Sequence, residues 1–204
     1  MRLRLLGLAA AAAFVLTGGT ARADGLSRAE TERLLRGDTV ARTQQMQRAE
    51  RRYVGGVTYT IVDAGIDDLA SLLDDVRAWR RFLPKTRDAR RVGSADSDAL
   101  VEVTHGSALL RVAYTLRVHR EGNVVRFWMD PSRSHDIEDA WGFFRAEPMP
   151  DGRTLMTYGI LIDMGSGLLR DLFEGRVQEA ALEVPDRVRD VVLERTSRGR
   201  RASR

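Results

Sequence analysis

The chain has 204 residues, a formal net charge of +4 and no cysteine, so disulfides, thiol catalysis and cysteine-based metal sites are excluded. Its basicity comes from arginine, with Lys85 the only lysine, and the arginines are interspersed with Asp and Glu, as on a solvated surface.

The first residues read as a secretory signal peptide. Arg2 and Arg4 precede an apolar run from Leu5 to Leu16, and Ala21-Arg22-Ala23 fits the small-x-small cleavage pattern. The run is too short to span a bilayer comfortably. The expected organisation is a signal peptide over 1–23, one domain over 24–195 and a basic disordered tail over 196–204. The exported chain is expected in the periplasm or medium.

Ser27 and Glu30 form a capping box that opens a short helix through Leu35, stopped by Gly37. Asp38 to Arg48 is expected to be an exposed strand. Tyr53 to Val62 is a second strand, with Tyr53, Val57, Tyr59 and Ile61 on one face and Thr58 and Thr60 on the other. The Gly55-Gly56 pair predicts a bulge or bend. Asp63 to Arg77 is helical, with Ile66, Leu69, Leu72, Leu73 and Val76 on its apolar face, and Pro84 ends the tract. Further strands run Ala99–His105, Leu109–His119, Val124–Met129, Ile137–Ala146 and Arg153–Asp163. Glu121-Gly122-Asn123 makes a hairpin turn.

Ser166 to Leu193 closes the chain as one long amphipathic helix, with a kink expected at Pro185. Its apolar stripe must be buried against the alternating segments. The fold class is therefore α+β, a curved antiparallel sheet wrapped around a long C-terminal helix. Thr196 to Arg204 reads as the tail. With Arg195 it carries five arginines, and an anionic membrane surface is the expected counter-charge.

Three stretches carry a family resemblance: "VTYTIVDAGIDDLASLLDDVRAWRRFLP" (Val57 to Pro84), "WGFFRAEPMPDGRTLMTY" (Trp141 to Tyr158) and the closing helix. Over roughly residues 38 to 195 the order of elements resembles the helix-grip fold of the START-like (SRPBCC) superfamily, which includes polyketide cyclases/dehydrases, lipid-transfer domains and coenzyme Q-binding proteins. The resemblance implies a cavity between the sheet and the C-terminal helix. It transfers no catalytic residue, because the family shares none.

The residues expected to line such a cavity are Tyr59, Trp79, Phe82, His105, Tyr114, Phe127, Phe143, Met156, Tyr158, Leu169 and Phe173. Apolar walls with a few polar atoms suit hydrophobic ligands. For each, plain core packing is the competing reading. His105 lies on the apolar face of its strand and is either a satisfied buried histidine or an acid/base group. His135, Asp136, Glu138 and Asp139 are metal-ligand types, but alternation splits them between two faces. No metal and no cofactor is expected.

No Gly-x-Ser-x-Gly elbow, phosphate-binding loop or His-Glu-x-x-His is present. The expected function is a periplasmic or secreted carrier of a lipid, quinone or polyketide-like molecule. The alternatives are a cyclase/dehydratase-type enzyme using a cavity His or Tyr, and an interaction module with a vestigial cavity. Export argues against a nucleic-acid partner.

Overall fold

A computed structural model of the chain describes residues 25–106, 111–166 and 168–202. The signal peptide expected over 1–23 lies outside them. The elements follow in the order α1 (Arg28–Leu35), β1 (Val40–Arg48), β2 (Arg51–Val62), α2 (Ile66–Asp74), a 3-10 turn (Val76–Ala78), α3 (Trp79–Phe82), β3 (Thr86–Ala95), β4 (Asp98–Gly106), β5 (Arg111–Glu121), β6 (Val124–Met129), β7 (Asp139–Pro148), β8 (Thr154–Asp163), α4 (Leu168–Leu182) and α5 (Val184–Ala202).

The strands form one curved antiparallel sheet in the order β1-β2-β8-β7-β6-β5-β4-β3. The closing helices lie against one face of it, as the amphipathic stripe requires. Val184, Val188, Val191 and Val192 of α5 join one buried cluster with Val62, Phe82, Val101, Phe127, Phe144, Met156 and Tyr158. The capping box is present: the Ser27 backbone N–H donates to Glu30 Oε2 at 2.7 Å, and the Glu30 N–H donates to Ser27 Oγ at 3.2 Å. Arg42 reaches the same carboxylate at 2.6 Å and, with the Ser27 bonds, holds it down to about 2.

The closing helix is two segments, with Glu183 at the break, just before Pro185. Proline has no N–H to offer the preceding turn, so carbonyls there lose helical donors. The Thr58 hydroxyl donates to Leu182 O at 3.1 Å, in that turn. Thr60, beside it on the same face, donates to Thr39 Oγ1 at 3.0 Å, which in turn donates to Asp186, and accepts from Arg189 Nη1 at 3.2 Å. The threonine face of β2 is therefore the face that holds the helix.

This reverses the expectation for Tyr59. It packs with Leu34, Val40 and Ile61 under α1, on the opposite side of the sheet, with Arg42 over its ring. Phe143 is corrected in the same way. Its neighbour Phe144 faces the core, while Phe143 shares the outer face with Arg145, whose guanidinium lies 5.7 Å from the ring centroid. Successive strand residues alternate sides, so adjacent phenylalanines make the inward one ambiguous by a single step.

Three further differences concern local structure. Gly55 and Gly56 make no bulge: both keep register with β1 and β8. Thr86–Ala95, not recognised as a strand above, is β3, an edge strand paired with β4. Its charge is what a sheet edge tolerates. The expected disordered tail is helical as far as Ala202.

Candidate functional site

Beneath α5 aromatic rings pack together on the concave face. Phe144 and Tyr158 lie 4.6 Å apart between centroids, and Phe127 lies 6.0 Å and 6.3 Å from them. Met156 and Phe82 are buried in the same cluster. Of the residues expected to line a cavity, Phe82, Phe127, Met156 and Tyr158 are thus packed against protein. Leu169 and Phe173 fall in α4, and their side chains lie outside the described set.

His105 and Tyr114 form a closed polar pair. The rings stack at 5.5 Å, and His105 Nε2 lies 2.7 Å from the Tyr114 hydroxyl. His105 Nδ1 lies 3.0 Å from Pro84 O and 3.0 Å from Thr86 Oγ1. A carbonyl can only accept, so Nδ1 carries the proton, and Nε2 accepts from Tyr114 O–H. The pair pins β4 and β5 to the turn that links α3 to β3. Burial lowers the imidazole pKa against the opposing pull of the Pro84 carbonyl, and burial raises that of Tyr114. This is the satisfied-histidine reading.

A pH dependence follows. The unfolded ring binds a proton near 6.5, while the folded ring resists it until lower pH. Below 6.5 the unfolded state therefore holds more protons, and stability falls with pH until the folded pKa is passed. Denaturant midpoints between pH 7.5 and 5 should drop more for wild type than for His105→Gln. An identical slope in both would show that this ring does not titrate as described. Tyr114→Phe should cost about 1–3 kcal/mol by leaving Nε2 buried without a donor.

Among the described residues a cleft of about 970 Å³ opens between the α2–α3 segment and strands β3 to β6. Leu73, Val76, Trp79, Ala89, Ala99, Val101, Val118 and Val125 make its apolar floor. Trp79 is the one residue of the expected set found there. Its indole N–H donates to Leu73 O at 2.9 Å, which fixes the ring as a wall. The tight connection Asp75 to Ala78 turns the chain so that α2 and α3 present one apolar edge to the sheet.

The rim of the cleft is charged. Arg77, Arg80, Arg90, Arg91 and Arg120 line it together with Asp74, Asp75 and Asp88. Reading the sequence missed these arginines, because interspersed charge looks like ordinary surface. The signal lay in Arg90-Arg91 within an alternating tract, which becomes legible once β3 is known to be a strand. His135, expected to be no ligand, lies exposed against Arg133 O, and Asp136 accepts from the Ala113 N–H at 2.8 Å. Among the described residues no group of three metal-ligating side chains converges.

No protein-family model matches the sequence, and no curated protein sequence matches it. Solved structures do. A STAR-related lipid transfer protein from Xanthomonas axonopodis superposes with a TM-score of 0.55 at 16% identity, covering 74% of this chain and 98% of that one. The Zhui aromatase/cyclase from Streptomyces sp. R1128 gives 0.54 at 18% identity, covering 76% and 98%. A START superfamily protein from Mycobacterium smegmatis gives 0.52 at 12% identity, covering 68% and 96%. At such identities the likeness speaks for the fold, which is the START-like helix grip.

Proposed function

We propose that this chain binds and carries a hydrophobic small molecule of the lipid, quinone or polyketide-like class, exported to the periplasm or medium by its N-terminal segment. The observation that carries the reading is the cleft of about 970 Å³ with an apolar floor in a START-like fold. Ligand pockets are roughly 300–1,000 Å³, so the volume suits one such molecule. The fold is also that of a lipid transfer protein and of an aromatase/cyclase, so fold alone does not choose between carriage and chemistry.

The polar pair favours carriage. His105 and Tyr114 direct their polar atoms at each other, at Pro84 and at Thr86, and neither residue lines the cleft. A general acid or base must reach the reacting atom. The basic end of α5 also suits delivery at a surface. Arg195 pairs with Asp75 of the cleft rim at 2.9 Å, which sets that end of the helix beside the opening. An anionic bilayer attracting Arg195 and the residues after it would meet the cleft as well.

The test is native mass spectrometry of the exported protein, with organic extraction of any bound species and titration with the neutral probe N-phenyl-1-naphthylamine. Co-purified apolar ligand, or saturable probe binding that Val118→Arg in the cleft abolishes, is the expected result. Protein that emerges empty and binds no probe would remove the carrier reading. N-terminal sequencing should find Asp24 first, and retention of Met1 in the exported fraction would remove the export proposal.

A further inference from the structure

Resting on the carrier reading, we propose that the cleft selects single-chain amphiphiles with an anionic head, a carboxylate or phosphate, held at its mouth by Arg77, Arg80 and Arg91. Charge balance around the rim carries this. Each acidic residue there already has an arginine: Asp74 meets Arg120 at 2.8 Å, Asp75 meets Arg195 at 2.9 Å, and Asp88 lies 3.9 Å from Arg90. Arg90 is further occupied by Glu102 at 2.7 Å. Among the described residues no carboxylate lies within ion-pair distance of Arg77, Arg80 or Arg91, and all three are exposed. The mouth therefore keeps uncompensated positive charge directly above apolar floor.

Placement supports the same conclusion. Arg91 pairs with Val101 across β3 and β4, which puts both on one face, and Val101 is a floor residue. A register shift between Arg91 and Gly93 interrupts the alternation just beyond it. Arg77 lies in the 3-10 turn and Arg80 in α3, on the opposite wall. A cationic group on each wall over an apolar bed is complementary to a charged head with a hydrocarbon chain. Guanidinium is suited to such a head, because its planar donors can engage two oxygens of a carboxylate or phosphate together. A neutral glyceride or a quinone would leave these charges unanswered.

The experiment displaces N-phenyl-1-naphthylamine from the full chain with oleate, oleoyl lysophosphatidate or monoolein, which share the same hydrocarbon chain. At low salt the anionic compounds should act at concentrations about tenfold or more below monoolein, in keeping with the strength of charge-assisted hydrogen bonds. The preference should shrink at high salt. Arg77→Gln/Arg80→Gln/Arg91→Gln should abolish it while leaving monoolein displacement and melting temperature unchanged. Arg87→Gln, an exposed position outside the cleft, should behave as wild type.

The stronger of the two anionic compounds identifies the head. Equal displacement by all three compounds in wild type, or an anionic preference that survives in the triple variant, would overturn the proposal and leave the carrier reading intact. Failure of the probe and all three compounds to bind would remove both. If only binding to phosphatidylglycerol vesicles is lost in the triple variant, the arginines serve bilayer contact and the proposal fails.

Discussion

Replacing Phe82 by alanine should lower stability by about 3–5 kcal/mol, the usual cost of truncating a packed core phenylalanine. Phe82 is 1% exposed and closes α3 onto the main core, with Trp79 tilted against it at 6.5 Å. For a chain of this size the loss corresponds to a fall of roughly 10 °C in melting temperature. The result also bears on the site. If Phe82 were the wall of a ligand-filled void, part of its surface would already lack protein neighbours, and the cost would be smaller. The expected outcome is therefore the full penalty in the ligand-free protein, with probe binding preserved wherever the variant is folded. A cost near 1 kcal/mol with lost probe binding would move the site from the cleft into the interior. Denaturant titration with and without N-phenyl-1-naphthylamine measures both quantities.

Gly55→Ala should be comparably damaging, by on the order of 3 kcal/mol, through a different cause. Gly55 has φ +157°, and a Cβ there would stand 1.9 Å from the carbonyl oxygen of Ile160 on the neighbouring strand. Neither atom can yield, because both belong to the paired backbones of β2 and β8. The site also serves α4, since Gln178 Nε2 donates to Gly55 O at 2.8 Å. Gly65→Ala is the control. Gly65 has φ −68° at the start of α2, and a Cβ there meets nothing within 4 Å. That substitution should be neutral or slightly stabilising, because it restricts the unfolded chain without straining the folded one. Equal melting temperatures for Gly55→Ala and wild type would show that the close approach of the strands is not required.

Local patterns in the sequence determined much of the architecture. The Ser27–Glu30 box, the apolar face of α2, the Glu121-Gly122-Asn123 turn and the valine stripe of α5 are short-range features. Their physics is contained within a few residues of chain: hydrogen bonds three residues apart, helical periodicity and turn stereochemistry. The order of these elements was enough to indicate a sheet gripping a closing helix.

What tertiary structure alone decided was which face of each strand met that helix, and where the cleft opens. Thr58 and Thr60 look like an outward face until a proline-broken helix supplies a carbonyl and an arginine for them to bind. Tyr59 then turns outward to α1, and Phe144 displaces Phe143 from the interior. His105 was readable as buried, but not as bonded to Tyr114 and Pro84, because its partners come from two separate segments. The cleft was the least legible feature. Its floor comes from α2, α3 and strands β3 to β6, and its free arginines differ from the paired ones only by which carboxylates the fold brings near them. Composition counts charges, but ion pairing is a property of distance, and distance between remote segments is set by the packed fold.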